Sequence, residues 1–193
     1  MKIVLMRHGQ PELDLHSLKD QRFCPNDLGP LVLEYEASDL NFSVRPSEQA
    51  IKAAQGCKLA VSSQLPRAVS SVRVLGVEEV HHVQKCFRES SLPHLNWRTP
   101  KLSFFCWAVI FRILWLIGFA KNGEPIHEAK ERARLGANYL SALANQHESV
   151  FLLGHGIMNR LIAKQLKSQG WKQTESTGES YWSYSVFEYQ IKR

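Results

Sequence analysis

Two histidines hold equivalent places in the chain, because each directly follows a short apolar run. His8 comes after residues 2–6 and is preceded by Arg7, and His155 comes after residues 150–153. A neutral imidazole is a good nucleophile near neutral pH and can also move a proton. Short apolar runs that end abruptly are typical of buried parallel strands. We therefore expect both imidazoles to stand at strand ends.

Arginines accompany these histidines in a pattern that suits an anion. A third apolar run, residues 58–62, leads into Pro66 and Arg67 at the predicted start of a helix. Ligands of open parallel sheets bind beyond the carboxyl ends of the strands, so Arg67 is expected beside Arg7 and the two histidines. Guanidinium groups bind phosphate oxygens bidentately, and Gly9 would let the backbone come close to such a ligand. The residue types predict a pocket for a phosphoryl group.

Strands and helices alternate along the rest of the chain. The periodicity predicts helices over 47–55, 66–75, 125–144 and 156–169, a long loop with one short helix over 11–46, two strand pieces within 78–87 and a last strand over 181–191. Such alternation predicts an α/β fold built in layers.

The composition is that of a folded protein that attracts anions. The 193 residues, of which 44% are hydrophobic and 22% charged, fit one domain and exclude disordered, collagen-like and coiled-coil classes. The formal net charge of +6 favours anionic ligands. Nucleic acid is not expected, because no basic stripe with interleaved aromatic residues is present. Four cysteines without a C-x-x-C pair, and an apolar start too short for a secretory signal, predict reduced thiols and a cytoplasmic protein.

The chain contains three short motifs, which are R-H-G from residue 7, S-S-x-L-x-R-A from residue 62 and G-H-G from residue 154. These motifs, in this order, resemble the motifs of the histidine phosphatase superfamily, also called phosphoglycerate mutase-like. They span nearly the whole chain. The resemblance implies a three-layer αβα sandwich with a mainly parallel sheet, and a phosphatase that needs neither metal nor cofactor. His8 would attack phosphorus and become a phosphohistidine. The phosphoryl oxygens would be held by Arg7, Arg67 and His155, with Gly9 and Gly156 beside them.

Glu89 is the candidate proton donor. The leaving alkoxide needs a proton and the attacking water must lose one, so one carboxylic acid can serve both steps. The segment Phe87-Arg88-Glu89 is similar to the family's element of arginine or leucine, any residue and glutamate. Glu78, Glu79 and Glu124 are competitors, and a solvated surface carboxylate is the alternative for each of these glutamates.

A metal site is the alternative use of the two histidines. His8, His155 and a carboxylate could form a facial triad, but Arg7 and Arg67 would repel a divalent cation unless phosphate bridged them. We therefore expect no metal.

The expected substrate is a small phosphorylated metabolite. Gln10 and Pro11 stand where many family members have glutamate and threonine, so the resemblance assigns no further substrate contacts to this loop. The chain is also shorter than the true mutases, which favours hydrolysis over phosphoryl transfer within a substrate. The alternatives are the phosphohistidine of another protein as the substrate, or a phosphate-binding domain without turnover.

Residues 102–119 form a long apolar run interrupted by Arg112. A membrane span here would separate His155 from the other site residues, so we expect no span. The run falls within a predicted cap at about residues 90–123, which would wall the site, cover the core or form a homodimer contact. Trp107, Trp115 and Phe119 would then select an apolar part of the substrate. Simple core packing and a peripheral membrane contact are the alternatives.

Overall fold

The computed structural model describes residues 1–190. Its strands are β1 (Lys2–Arg7), β2 (Arg22–Phe23), β3 (Leu59–Ser63), β4 (His82–Gln84), β5 (Leu102–Ser103), β6 (Ser149–Gly154), β7 (Lys172–Ser176) and β8 (Tyr184–Glu188). Its helices are α1 (Leu28–Ala37), α2 (Glu48–Gln55), α3 (Pro66–Val74), α4 (Phe104–Leu116), α5 (Ile126–His147) and α6 (Gly156–Ser168).

Within the described residues, six strands form one sheet in the order β4-β3-β6-β1-β8-β7. The strands β4, β3, β6 and β1 are parallel, whereas β8 pairs antiparallel with β1 and β7 pairs antiparallel with β8. Every residue of β3 and β6 is buried. Strands covered on both faces need apolar residues at every position, which explains the unbroken apolar runs of the sequence. The mainly parallel sheet is therefore confirmed.

Helices cover both faces of this sheet. In β1, Ile3 and Leu5 pack in one apolar cluster with α5 and α6, whereas Val4 and Met6 pack in another with α2 and α3. Successive side chains of a strand point to opposite faces, so one strand contributes to both clusters. The α/β fold is thus the three-layer αβα sandwich that the resemblance implied.

The antiparallel end of the sheet differs from the prediction. The last strand, β8, covers Tyr184–Glu188 rather than 181–191, and Ile191 lies outside the described residues. The sequence does not predict β7, because all five of its residues are polar and exposed and leave no apolar alternation. Residues 78–87 contribute one strand of three residues, β4.

The segment 90–123, which we call the cap, contains β5 and α4. The first turn of α4 is capped by Ser103, whose Oγ accepts a hydrogen bond from the Cys106 N–H at 3.3 Å. One side of α4 joins Leu28 of α1 in a third apolar cluster, separate from the two clusters of the sheet. This α1 is the one helix predicted within residues 11–46. Among residues 1–190, no helix has the length and apolar character needed to cross a membrane.

Candidate active site

The predicted site residues meet at the carboxyl ends of three adjacent strands. In the sheet β6 lies between β3 and β1, and Arg7 is paired with Gly154. The residues that follow β1 and β6 are His8 and His155, whose ring centroids are 4.9 Å apart. Both side chains are buried, with 2% and 0% of their surface exposed. The convergence expected from the sequence is present.

Two hydrogen bonds determine which nitrogen of His8 carries the proton. Nδ1 lies 2.6 Å from the carbonyl oxygen of Gly9, which can only accept, so Nδ1 is the protonated nitrogen. The Arg67 Nε–H donates to Nε2 at 3.2 Å, so Nε2 keeps its lone pair. Burial, and then the charge of Arg67, hold the pKa of His8 well below its usual value. His8 is therefore a neutral imidazole whose unprotonated Nε2 accepts a hydrogen bond from a guanidinium.

Arg67 is held in place by the end of another helix. It lies in the first turn of α3, where Pro66 costs no hydrogen bond, and 1% of its surface is exposed. Its Nη1 donates to the carbonyl oxygens of Tyr35 and Glu36 in the last turn of α1, at 2.8 and 3.0 Å. The guanidinium also lies over the Tyr35 ring, 4.7 Å from the centroid. These contacts leave the Arg67 charge directed at His8.

His155 precedes α6 and is held by Ser63 at the end of β3. Nε2 of His155 and Oγ of Ser63 are 2.8 Å apart, while Nδ1 is buried without a hydrogen-bond partner. Burial and the neighbouring His8 and Arg67 hold the pKa of His155 well below its usual value. The Leu65 N–H donates to Ser63 Oγ, which leaves the serine hydroxyl free to donate to Nε2. The unpartnered Nδ1 then carries a proton and needs an acceptor.

Arg7 completes the cationic surroundings of the two imidazoles. Its Nη1 donates to the Glu179 carbonyl at 2.8 Å, and its guanidinium lies 4.3 Å from the centroid of the Tyr181 ring. Its Nε is buried and has no partner. A side chain at Gly156 would begin 3.6 Å from this nitrogen, so the glycine leaves space beside Arg7.

Gly9 has a packing role in the structure. A side chain at this position would overlap the Trp182 indole and the Leu40 side chain. The Gly9 N–H donates to Ser71 Oγ at 3.0 Å, and the Ser71 hydroxyl donates to the Arg67 carbonyl. The glycine therefore allows the loop after β1 to pack tightly, with its own N–H already paired.

Glu89 lies at the start of α6, next to His155 in the candidate site. Its carboxylate accepts hydrogen bonds from the Ile157 and Met158 N–H groups at 3.1 and 3.0 Å, and from the Ser90 N–H at 3.0 Å. The first two donors belong to the start of α6, where N–H groups lack partners within the helix and attract an anion. Arg67 and Arg112 also attract this carboxylate. Glu89 is thus anchored within the site.

The competing glutamates lie elsewhere. Glu78 and Glu79 are exposed, and Glu124 forms an ion pair with Arg132 at 2.5 Å. The same arginine donates to the carbonyl oxygens of Cys86 and Arg88, immediately before Glu89 in the chain. Arg132 therefore positions the segment that carries Glu89. Sequence reasoning missed it, because a pair eight residues apart has no recognisable helical spacing.

Two cavities meet at Glu89. A basic groove of about 590 Å³ runs along α6 and is lined by Arg7, Arg160, Lys164 and Lys167 among others. An apolar cavity of about 380 Å³ lies under the cap, and its polar lining residues are Glu36, Arg67, Glu89, Ser90, Ser91 and Arg112. The candidate site therefore has two different approaches. Among residues 1–190, no three His, Cys, Asp or Glu side chains are grouped so that they could hold a metal ion.

The aromatic residues expected to select the substrate do not line the apolar cavity. Trp107 and Trp115 are buried, and their indole N–H groups donate to the carbonyl oxygens of Phe23 and Glu124 at 2.9 and 2.7 Å. Phe119 packs against the cap cluster. The cavity wall is formed by other residues of α4, which are Phe104, Phe105, Ala108 and Val109. The prediction was wrong about these residues, because core packing uses the two tryptophans.

No protein-family model and no curated protein matches this chain. Solved structures do match. A Bacillus stearothermophilus protein, YhfR, is 15% identical with a TM-score of 0.62 over 98% of this chain and 91% of that chain. A mycobacterial glucosyl-3-phosphoglycerate phosphatase in complex with VO3 is 23% identical, with a TM-score of 0.57 over 96% of this chain and 91% of that chain.

A third solved structure is similar to this chain over nearly its whole length. A mutant of phosphoserine phosphatase from Entamoeba histolytica, in complex with phosphoserine, is 17% identical and has a TM-score of 0.57 over 98% of this chain and 91% of that chain. The likeness covers almost the whole sandwich in each case. This chain therefore has the fold of the histidine phosphatase, or phosphoglycerate mutase-like, superfamily.

Proposed function

We propose that this chain is a phosphatase that hydrolyses phosphomonoesters through a phosphohistidine on His8, without a metal ion. The observation that carries the proposal is the 3.2 Å contact between His8 Nε2 and Arg67 Nε. It sets an unprotonated nitrogen beside a buried guanidinium. Attack on phosphorus needs such a nucleophile, and fixed positive charge stabilises the phosphoryl group in the transition state.

In the proposed first step, His8 Nε2 bonds to phosphorus and the ester P–O bond breaks. The protonated carboxyl of Glu89 gives its proton to the leaving oxygen. In the second step a water oxygen bonds to phosphorus, the P–N bond breaks, and the Glu89 carboxylate takes the water proton. Arg7, Arg67 and the Nδ1–H of His155 hold the phosphoryl oxygens, since Arg7 Nε and His155 Nδ1 are buried donors that lack partners.

The three N–H donors on Glu89 bear on this scheme. They hold the carboxyl group at the start of α6, from where it can give a proton to the leaving oxygen and later take one from water.

Hydrolysis of p-nitrophenyl phosphate in the presence of a chelator tests the proposal. The wild type should release phosphate, and His8→Ala should lose about a thousandfold or more of kcat/KM, because no other side chain replaces the nucleophile. His127→Ala is the matched control, since His127 is exposed on α5. Quenching in alkaline detergent, with a substrate labelled in its phosphoryl group, should give a labelled phosphoprotein from the wild type alone, and mild acid should release the label.

Three results would contradict the proposal. Equal activity in His8→Ala and the wild type would remove His8 as the nucleophile. A wild type that binds orthovanadate but releases no phosphate from any ester would support a phosphate-binding domain without turnover. The proposal also fails if activity requires a divalent ion.

The phosphohistidine of another protein is a second candidate substrate. The basic groove favours it, because Arg160, Lys164 and Lys167 line an open approach to Arg7 that would attract an acidic polypeptide. A histidine-phosphorylated protein tests it directly. Lys164→Gln should then slow dephosphorylation of that protein, and leave p-nitrophenyl phosphate unaffected.

A further inference from the structure

Arg112 is the single charged residue of α4. It lines the apolar cavity together with Arg67 and Glu89, and its guanidinium lies 4.8 Å from the centroid of the Trp115 ring. Its Nη1 is buried without a hydrogen-bond partner. A buried charged donor without an acceptor costs free energy, so a group that supplies an acceptor would be bound there. Arg112 is thus an arginine of the cap that lines the same cavity as Arg67, the residue that contacts His8.

The cavity that Arg67 and Arg112 line has mainly apolar walls. Its walls include Leu31 and Val32 of α1 and Phe104, Phe105 and Ala108 of α4. About 380 Å³ is far more than a phosphoryl group needs and falls within the range of small-molecule sites. The space left after a phosphoryl group is bound would therefore hold the body of a ligand.

The mouth of the cavity is apolar as well. Val109 lines the cavity and is also 59% exposed. Ile110 and Ile113, on the same side of α4, are also exposed. The hydroxyl groups of a sugar or the charges of an amino acid would find few partners along this wall, and unpaired polar groups lose favourable hydration.

We propose that the substrate is the phosphomonoester of an apolar alcohol. Its phosphoryl group would be held at His8 by Arg7, Arg67 and His155, its hydrocarbon body would lie in the apolar cavity, and Arg112 would bind a phosphoryl oxygen from the cap side. This inference rests on the proposed hydrolysis at His8. It adds the substrate class, and it assigns Arg112 as a substrate-binding residue.

A series of ethyl, butyl, hexyl and octyl phosphate measures the apolar contribution. Each buried methylene should raise kcat/KM roughly fourfold until the cavity is filled, so octyl phosphate should exceed ethyl phosphate by roughly a hundredfold or more. Glycerol phosphate, a polar ester of similar size to butyl phosphate, should be the poorer substrate. An octyl ester hydrolysed within twofold of the ethyl ester would overturn the inference.

Failure of this inference can be distinguished from failure of the proposed function. Affinities of ethylphosphonate and octylphosphonate, measured by calorimetry, do not depend on turnover. Tighter binding of octylphosphonate by an inactive protein would retain the substrate class and reject hydrolysis. Equal affinities in an active enzyme would retain hydrolysis and reject the class.

Two variants separate the roles of the cavity wall and the arginine. Ala108→Leu should abolish the gain with chain length, because leucine occupies the space of the chain, whereas Leu135→Ala, at an exposed leucine of α5 that does not line the cavity, should preserve the gain. Arg112→Met should weaken competitive inhibition by inorganic phosphate at least about tenfold and keep the chain-length gain. Arg134→Met on α5 is the charge-matched control, since Arg134 is exposed. Unchanged inhibition in Arg112→Met would overturn its assignment.

Discussion

The residues at the strand ends and the cap are built in opposite ways. The first group, Arg7, His8, Arg67 and His155, comes from three distant parts of the chain and is polar and largely buried. The side chains in this group are held by partners on other elements, such as the α1 carbonyls for Arg67. The cap is one continuous segment that packs with Leu28 of α1 in the third apolar cluster, and its Arg112 lines the apolar cavity together with Arg67 and Glu89.

We infer that the two regions have different roles, the strand ends in binding the phosphoryl group and the cap in binding the rest of the substrate. The residues proposed to hold the phosphoryl group stand at the rigid ends of strands, where the sheet register sets their distances. The residues proposed to contact the rest of the substrate lie on a segment outside the sheet, which can change without disturbing that register. We therefore expect changes at the strand ends to affect every substrate alike, and changes in the cap to affect selectivity or stability.

Arg67→Met should reduce activity more than Glu89→Gln or Trp107→Phe. It removes the charge beside His8 Nε2, and we expect kcat/KM to fall roughly a hundredfold to a thousandfold. The loss should be the same for short and long alkyl phosphates, because the phosphoryl group is common to both. Arg67→Lys should restore little, since lysine cannot bond His8 and the α1 carbonyls at once.

Arg73→Met is the control for this change, because Arg73 is exposed on the same helix. If the loss of kcat/KM in Arg67→Met depended on the length of the alkyl chain, the strand-end residues would also take part in substrate selection, which contradicts the separate roles expected for the two regions.

Glu89→Gln should have the next largest effect, about tenfold to a hundredfold or more on alkyl phosphates. With p-nitrophenyl phosphate the leaving group needs little protonation, so phosphorylation of His8 should remain fast and hydrolysis of the phosphohistidine should become slow. The measurement is a burst of nitrophenol close to one equivalent, followed by a slow steady rate. Glu78→Gln, at an exposed glutamate, should show wild-type kinetics.

A Glu89→Gln enzyme that slows neither ester would transfer the proton-moving role to another group. Equal slowing of both esters without a burst would also contradict the scheme, since it would place the loss in the attack by His8.

The two buried imidazoles should make folding sensitive to acid. Both have pKa values well below 6.5 in the folded chain, mainly because of burial. Below about pH 6.5 the unfolded chain therefore binds protons that the folded chain excludes, and the free energy of unfolding falls as pH is lowered toward the folded pKa values. The expected slope is up to about 1.4 kcal/mol per pH unit for each histidine.

Urea unfolding at several pH values below neutrality measures this slope, and His155→Gln should reduce it by about half. The exposed Glu131 and Glu148 have pKa values lowered below 4.5, so they act in a more acidic window. A free energy of unfolding that stays constant from about pH 6.5 to about pH 5 would contradict the neutral, buried state of the two imidazoles.

The strand-end residues could be predicted because their surroundings are regular. The runs that became β1, β3 and β6 are buried on both faces, so they stand out as apolar stretches, and their order in a parallel sheet brings the following residues together. Ser63 could not be assigned in advance, although it stands in the middle motif. Its hydrogen bond to His155 depends on the register of β3 against β6, which no local pattern contains.

The cap was harder to predict for a physical reason. Nearly all residues of α4 are apolar, so its sequence shows no contrast between a buried and an exposed face. The position of the helix against α1 decides that Trp107 packs inside and that Phe105 and Ala108 face the cavity. The sequence therefore could not show that the apolar cavity is lined by Phe104 and Phe105 rather than by Trp107, Trp115 and Phe119.

Trp107→Phe should have the smallest effect and tests the cap directly. Phenylalanine keeps most of the packing but cannot donate to the Phe23 carbonyl, which the indole N–H does at 2.9 Å. We expect the free energy of unfolding to fall by about 1 kcal/mol, the typical contribution of such a hydrogen bond. Because Trp107 touches neither the phosphoryl site nor the apolar cavity, kcat/KM for octyl and ethyl phosphate should stay within twofold of the wild type. A change in the ratio of these two values would show that the buried side of α4 also takes part in selection.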